Sequence, residues 1–257
     1  MTGLWGRARW PMLRTIAYGA GALAISLALQ PTPASAQPLG SSSDRGLVLG
    51  VRAAADTATL AGRTYVALGD SISEGKYAVG ADRIFPARIA SQLGMRLDLI
   101  ARSGARAAWA LPQLDAVRAA QPALVTIELG TNDVGFNTPV DAFTAQYEAI
   151  VAAVSTPGTR VLCLGSWLPS DGYDAIIRDA CERHGGTFVS LSGFYFVNDF
   201  HAPDGAATFL GRSDWFHPGD EGHAAIAAVT LAALPGYRSE QVPGVPEVPA
   251  SLRRAPS

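Results

Sequence analysis

Between residues 64 and 234 the chain alternates short apolar runs with longer segments whose apolar residues recur every three or four positions. TYVALG (64–69), RLDLIA (96–101), LVTIEL (124–129), RVLCLGSW (160–167) and TFVSLS (187–192) have the length and residue types of strands. FPARIASQLG (85–94), AWALPQLDAVRAAQP (108–122), PVDAFTAQYEAIVAAVS (139–155), YDAIIRDACERHGG (173–186) and PGDEGHAAIAAVTLAAL (218–234) read as helices, several punctuated by proline or glycine. Strands that alternate with helices imply βαβ units and a parallel sheet. Most of the strands lack a period of two, as expected of strands buried on both faces. The pattern predicts an α/β fold, a three-layer αβα sandwich around five parallel strands. Ligands of such sheets bind beyond the carboxyl ends of the strands.

The flanks differ. Arg7, Arg9 and Arg14 precede an uncharged stretch, TIAYGAGALAISLAL (15–29), and then PTPASA ends in Ala34-Ser35-Ala36. A basic segment, a short apolar segment and an A-x-A site form a secretory signal over 1–36, cleaved after Ala36. The alternative, an uncleaved anchor, has a shorter apolar run than the roughly 20 residues a spanning helix needs. Export to a secreted or periplasmic location follows, with no stable membrane insertion after cleavage. Residues 37–60 read as a linker or arm, 61–235 as the folded domain, and 236–257 as a proline-rich disordered tail. The chain is 48% apolar and 16% charged with a net charge of −2, so nothing calls for a nucleic acid partner. Cys163 and Cys181 are the only cysteines. In an oxidising compartment they form one disulfide or remain two buried thiols, and the sequence leaves both open.

The chemistry gathers at the predicted strand ends. The first strand runs into GDSISEGK (69–76). A phosphate-binding loop needs four residues between its glycines and a hydroxyl after the lysine. Here five residues separate Gly69 from Gly75, and Tyr77 follows Lys76, so that reading fails on spacing. A nucleophile reading puts Ser71 just past the strand, and the plainer alternative is a helix-capping serine. In SDWFHPGDEGH (213–223) a carboxylate at Asp214 stands three residues before His217. One imidazole nitrogen can then be oriented by the acid while the other faces outward, as in a serine triad. A histidine base titrates near pH ~6.5, which predicts activity rising through that range. The alternatives are a capping turn with a surface histidine, or a metal site using His217 and His223, which lacks a third ligand at convincing spacing. Asn132 in IELGTNDVG (127–135) reaches the same sheet edge, where its amide can donate to an oxyanion or build an Asx turn. Gly104, after the second strand, allows its N–H a close approach to a substrate oxygen or is an ordinary loop glycine.

GDS at 69–71, Gly104, GTND at 130–133 and DWFHP at 214–218 together resemble the four blocks of the SGNH hydrolases, also called the GDSL-like esterase/lipase family. The resemblance spans residues 64–234; the first, third and fourth blocks are specific in combination, and the second is a single glycine. It implies a flavodoxin-like sandwich and a carboxylic ester hydrolase that uses no cofactor or metal. It implies Ser71 as nucleophile, His217 as base and Asp214 as its orienter, with the Ser71 N–H, the Gly104 N–H and Asn132 around the oxyanion. The G-x-S-x-G elbow of α/β-hydrolases is absent around Ser71. The expected substrate is a small-molecule or glycan ester with a short acyl or O-acetyl group. A lipid or thioester acyl hydrolase and a non-catalytic binder on the same fold are the alternatives. Trp167 and Trp215 are candidates to line the substrate pocket, against the plainer reading that they pack beside the site. The aromatic stretch 193–212 is expected to shape access to it, with no role assigned to His201.

Overall fold

The structure is a computed structural model, and it describes residues 59–237. The proposed signal lies outside the described residues, as do all but the first two residues of the proline-rich tail and most of the arm. Its last residue, Leu60, is buried in the core, so the folded domain begins slightly earlier than residue 61.

Five parallel strands form the sheet: β1 (Thr64–Gly69), β2 (Arg96–Ala101), β3 (Leu124–Glu128), β4 (Arg160–Leu164) and β5 (Thr187–Val189), in the order β2-β1-β3-β4-β5. This is the flavodoxin-like strand order, in which the chain reverses its direction of travel between β1 and β3. Residues along β1 alternate between the two faces of the sheet. Tyr65 and Ala67 pack with Phe85, Ile89, Ile226 and Leu231, whereas Val66 and Leu68 pack with Phe143, Tyr147, Ile150 and Ile177. The first face is covered by α2 (Phe85–Leu93) and α8 (Asp220–Ala232). The second is covered by α3 (Ala107–Ala110), α4 (Leu114–Ala119), α6 (Val140–Val154) and α7 (Asp171–Arg183). These are the three layers expected, and β1, β3 and β4 are buried nearly throughout.

Three details depart from the sequence pattern. β2 is largely exposed, because it is an edge strand. The helix expected over 108–122 is broken into α3, a 3₁₀ turn at Leu111–Gln113 and α4, because Pro112 removes a backbone donor and its ring clashes with the preceding turn. Two strands continue into short helices, α1 (Ser71–Glu74) after β1 and α5 (Thr131–Gly135) after β3, where only turns were expected. Residues 193–212 contain 3₁₀ turns at Phe194–Phe196 and Asn198–Phe200, then a small hairpin of β6 (Ala207–Thr208) and β7 (Gly211–Arg212). Cys163 on β4 is disulfide-bonded to Cys181 on α7 across a Cα–Cα distance of 6.1 Å.

Candidate active site

Strand register sets the frame. Gly69 stands beside Ala101 of β2 on one side and Glu128 of β3 on the other, so the residues that follow all three emerge together at the carboxyl edge. Gly69 must be glycine: a Cβ there would lie 1.9 Å from Ser73 Oγ and 2.9 Å from the Glu128 carbonyl. Asp70 caps α1, its Oδ1 accepting the Ile72 N–H at 2.9 Å. Ser71 is thereby the first residue of a helical turn at the end of β1, and it is 6% exposed.

His217 comes from the far end of the chain. Its Nε2 lies 2.9 Å from Ser71 Oγ, and its Nδ1 lies 2.8 Å from Asp214 Oδ1. A carboxylate only accepts, so Nδ1 carries the proton and Nε2 accepts from the serine hydroxyl. Asp214 Oδ1 also accepts the N–H groups of Phe216 at 3.0 Å and His217 at 3.1 Å. Partial burial pulls the Asp214 pKa upward, but the His217 ring and these N–H donors outweigh it and hold the carboxyl below its ordinary range. The segment is fixed from both sides. Ala202 N–H donates to the His217 carbonyl at 3.0 Å, and Tyr77 N–H donates to the Pro218 carbonyl at 3.2 Å. The Tyr77 ring meets the His217 ring edge-on at 5.1 Å.

Gly104 has φ +75°, which calls for glycine although a Cβ would meet nothing within 4 Å. The neighbouring Ser103 N–H is taken by Glu74 Oε2 at 3.0 Å and the Ala105 N–H by the Arg102 carbonyl at 2.9 Å. The N–H groups of Gly104 and Ser71 have no acceptor among the described residues. Asn132 differs from expectation. Both its amide hydrogens are engaged, with Asp70 Oδ2 at 2.9 Å and the Ala105 carbonyl at 3.1 Å. In this resting arrangement they do not point into open space.

Residues 67–225 match the sequence profile of the GDSL-like Lipase/Acylhydrolase family. The chain belongs to this family. It is therefore a carboxylic ester hydrolase. No curated protein sequence matches it. Among solved structures it is similar to TesA, with 20% identity, a TM-score of 0.53, and coverage of 70% of this chain and all of that one. It is similar to an esterase, EstA from Pseudoalteromonas sp., solved with monoethylphosphonate as inhibitor, at 19% identity and TM-score 0.53, covering 66% of this chain and 96% of that one. A two-domain esterase active on acetylated mannans aligns at 18% identity and TM-score 0.57 over 79% of this chain, which spans only 57% of that protein. At these identities the structural likeness speaks for the fold.

Within this GDSL-like domain, Trp167 does not line a substrate pocket. Its side chain has no exposed surface, and its indole Nε1 donates to the Phe216 carbonyl at 2.7 Å, bracing the Asp214–His217 turn from below. Trp215 is 47% exposed and stacks on His201 with ring centroids 4.0 Å apart. It lines a cavity of about 490 Å³ whose walls include Tyr77, Val79, Ala202, Pro203 and Ala207; Ser71, Asp214 and His217 do not line it, and it adjoins them through Tyr77, whose ring meets the His217 ring. Asp199, Asp220 and Glu221 stand at the same cavity. A larger cavity of about 620 Å³, lined by Arg63, Thr64, Arg96 and Thr159, lies at the opposite, amino-terminal edge of the sheet. His223 is remote from the metal reading: it is buried, accepts the Phe85 N–H at 3.4 Å, and burial pushes its pKa down to about 3.

Sequence reasoning passed over Glu74, Tyr77 and Glu128. Glu74 accepts both the N–H and the hydroxyl of Ser103 and so ties the Gly104 loop to the Ser71 turn. Glu128 is fully buried at the end of β3 and accepts the Ser73 N–H at 3.2 Å and the Ser73 hydroxyl at 2.9 Å. A charged residue inside the apolar run LVTIEL was the available signal.

Proposed function

We propose that this protein is an exported serine esterase that cleaves neutral carboxylic esters with short acyl or O-acetyl groups, through Ser71, His217 and Asp214. The observation that carries this reading is the His217 ring, whose two nitrogens contact Ser71 Oγ and Asp214 Oδ1 at 2.9 and 2.8 Å. His217 Nε2 takes the Ser71 proton as Oγ attacks the ester carbonyl carbon, and Asp214 stabilises the imidazolium that results. The oxyanion forms beside the Ser71 and Gly104 N–H groups. Asn132 adds a third donor by releasing the Ala105 carbonyl, the longer of its two contacts. His217 then returns the proton to the departing alkoxide. Water, deprotonated by the same nitrogen, frees the acid from the acyl-serine.

Asp199 and Glu221 stand at the cavity, with Asp220 paired to Arg83, so a leaving group seated there is better neutral than anionic, which disfavours phosphorylated thioesters and phospholipid head groups. Uncharged alcohols and sugars suit it better, and a related fold acts on acetylated mannans. The aromatic face of Trp215 offers a sugar ring a stacking surface. Export rests on the basic, apolar and A-x-A pattern of residues 1–36, with cleavage after Ala36. No helix among the described residues is long and apolar enough to cross a membrane.

The test is hydrolysis of p-nitrophenyl esters from C2 to C12 by wild type and Ser71→Ala, with labelling by a serine-reactive phosphonate. Turnover highest at C2, together with turnover and labelling both lost in Ser71→Ala, supports the reading. Turnover that survives in Ser71→Ala removes the nucleophile assignment, and a maximum at long chains moves the substrate to lipids. Wild type inert toward both esters and phosphonate points to a binding protein.

A further inference from the structure

Two fully buried carboxyl groups, Asp70 and Glu128, lie side by side beneath the Ser71 turn. Neither has an ion-pair partner among the described residues. Two adjacent buried negative charges with no cation are prohibitively costly, whereas one shared proton removes one charge and adds a hydrogen bond. The donors indicate where the proton sits. Asp70 Oδ1 accepts the Ile72 N–H and Oδ2 accepts the Asn132 amide, each at 2.9 Å, and both donors favour an ionised acceptor. Glu128 Oε2 accepts from Ser73, whereas Oε1 is buried without a hydrogen-bond partner and is free to carry the proton; the nearby Asp70 N–H favours an ionised Glu128 but is outweighed by burial and the Asp70 charge.

We infer that Glu128 is a positioning residue: it stays protonated at neutral pH and donates its O–H to Asp70, which in turn fixes the Ser71 turn and the Asn132 amide. The inference rests on the reading of Ser71 as nucleophile. The surrounding groups support it. Asp133, whose charge faces Asp70, adds negative potential and is itself partly offset by Arg106. Tyr147, from α6, is a buried phenol within the field of Glu128 and contributes no charge at neutral pH. Burial and the Asp70 charge push the Glu128 pKa well above the ordinary carboxyl range, and burial pushes Asp70 up to about 6. The consequence for the site is mechanical. A carboxylate at Glu128 would repel Asp70. Close packing at Gly69 leaves the backbone no room to absorb that push, so it would fall on residues 70–73 and on Asn132.

The experiment compares wild type with Glu128→Gln and Glu128→Ala. Gln keeps a donor toward Asp70 and an acceptor toward Ser73 without an ionisable group. The infrared difference spectrum of wild type minus Glu128→Gln at neutral pH is expected to contain a protonated-carboxyl C=O band. Glu128→Ala is expected to lose about tenfold or more in kcat with little change in KM, and Glu128→Gln to recover most of that loss, as for a buried hydrogen bond broken and remade. Absence of the band, or a Glu128→Ala enzyme as fast as wild type, overturns the inference. If Glu128→Ala does not fold, the band and the kcat of Glu128→Gln decide: a missing band, or a Gln variant as slow as Ser71→Ala, overturns it. Loss of turnover in Ser71→Ala together with a failed Glu128 result removes only this inference. Turnover that persists in Ser71→Ala removes the nucleophile reading on which it stands.

Discussion

The indole N–H of Trp167 donates to the carbonyl of Phe216, the residue immediately before His217, at 2.7 Å. The Trp167 backbone N–H in turn donates to Thr131 Oγ1 at 2.9 Å. One buried residue, through its main chain and its side chain, therefore connects the segment after β4, the turn that carries Asn132 and the turn that carries His217. Trp167→Phe keeps most of the apolar volume but strands the Phe216 carbonyl. The expected cost is about 1–3 kcal/mol in urea unfolding, as for a buried acceptor left unpaired. Turnover should fall with KM nearly unchanged, as steady-state kinetics on a short ester would show.

Asp214→Asn should leave the fold intact and lower kcat by about 10³–10⁴, because an amide can hold His217 in the wrong tautomer and cannot stabilise the imidazolium. A loss below about tenfold would show that the acid does not orient the base. Asp214 also leaves a signature in stability. Its folded pKa lies below its unfolded value, so its contribution is present above the unfolded value of ~3.9 and is lost as pH falls through the depressed one. Thermal unfolding of wild type and Asp214→Asn should converge in strong acid.

His223 predicts a second acid effect of separate origin. Folding keeps this ring neutral down to pH about 3, whereas in the unfolded chain it takes up a proton near pH ~6.5. The unfolded state binds more protons between these limits, so stability should fall as pH drops through that window, by at most roughly 1.4 kcal/mol per pH unit. Replacing His223 with the uncharged Gln should flatten that part of the pH–stability curve, measured by urea titration at several pH values. An unchanged slope would show that the ring is protonated in the folded protein.

The Cys163–Cys181 bridge closes a loop with a sequence separation of 18. Reduction, or a Cys163→Ala/Cys181→Ala pair, should cost about 3 kcal/mol by the loop-entropy account. It should leave turnover at ambient temperature largely intact, since neither sulfur approaches Ser71. Denaturant midpoints with and without reductant measure it.

The parallel sheet was legible because buried strands and amphipathic helices leave different periods. The bounds of β1 and β2 coincide with the apolar runs TYVALG and RLDLIA. The exposure of β2 was not legible, because a strand's place at an edge depends on pairing order, which local pattern does not carry. Ser71, Asp214 and His217 were readable from short motifs, and the structure brings these three together. Trp167 was left between two readings, of which packing beside the site holds, because an aromatic residue at a strand end looks the same whether it faces substrate or the underside of a turn. Glu128 was passed over because its meaning depends on Asp70, more than fifty residues earlier in the chain, and only the register of β1 and β3 sets the two side by side.

The contact between Ser71 and His217 joins residues 146 positions apart. The sheet can pair through β4, and the turn bearing the serine can form, while the segment bearing the histidine is still unattached. That segment is held by Tyr77, by Ala202 and by the docking of α8 against α2, all of which need the last quarter of the domain. On the proposed triad, a chain folded only that far presents a serine with no base. On that reading, hydrolytic power arrives as the closing event of folding, and a polypeptide ending before residue 214 lacks both the base and its orienting acid however much of its sheet has formed.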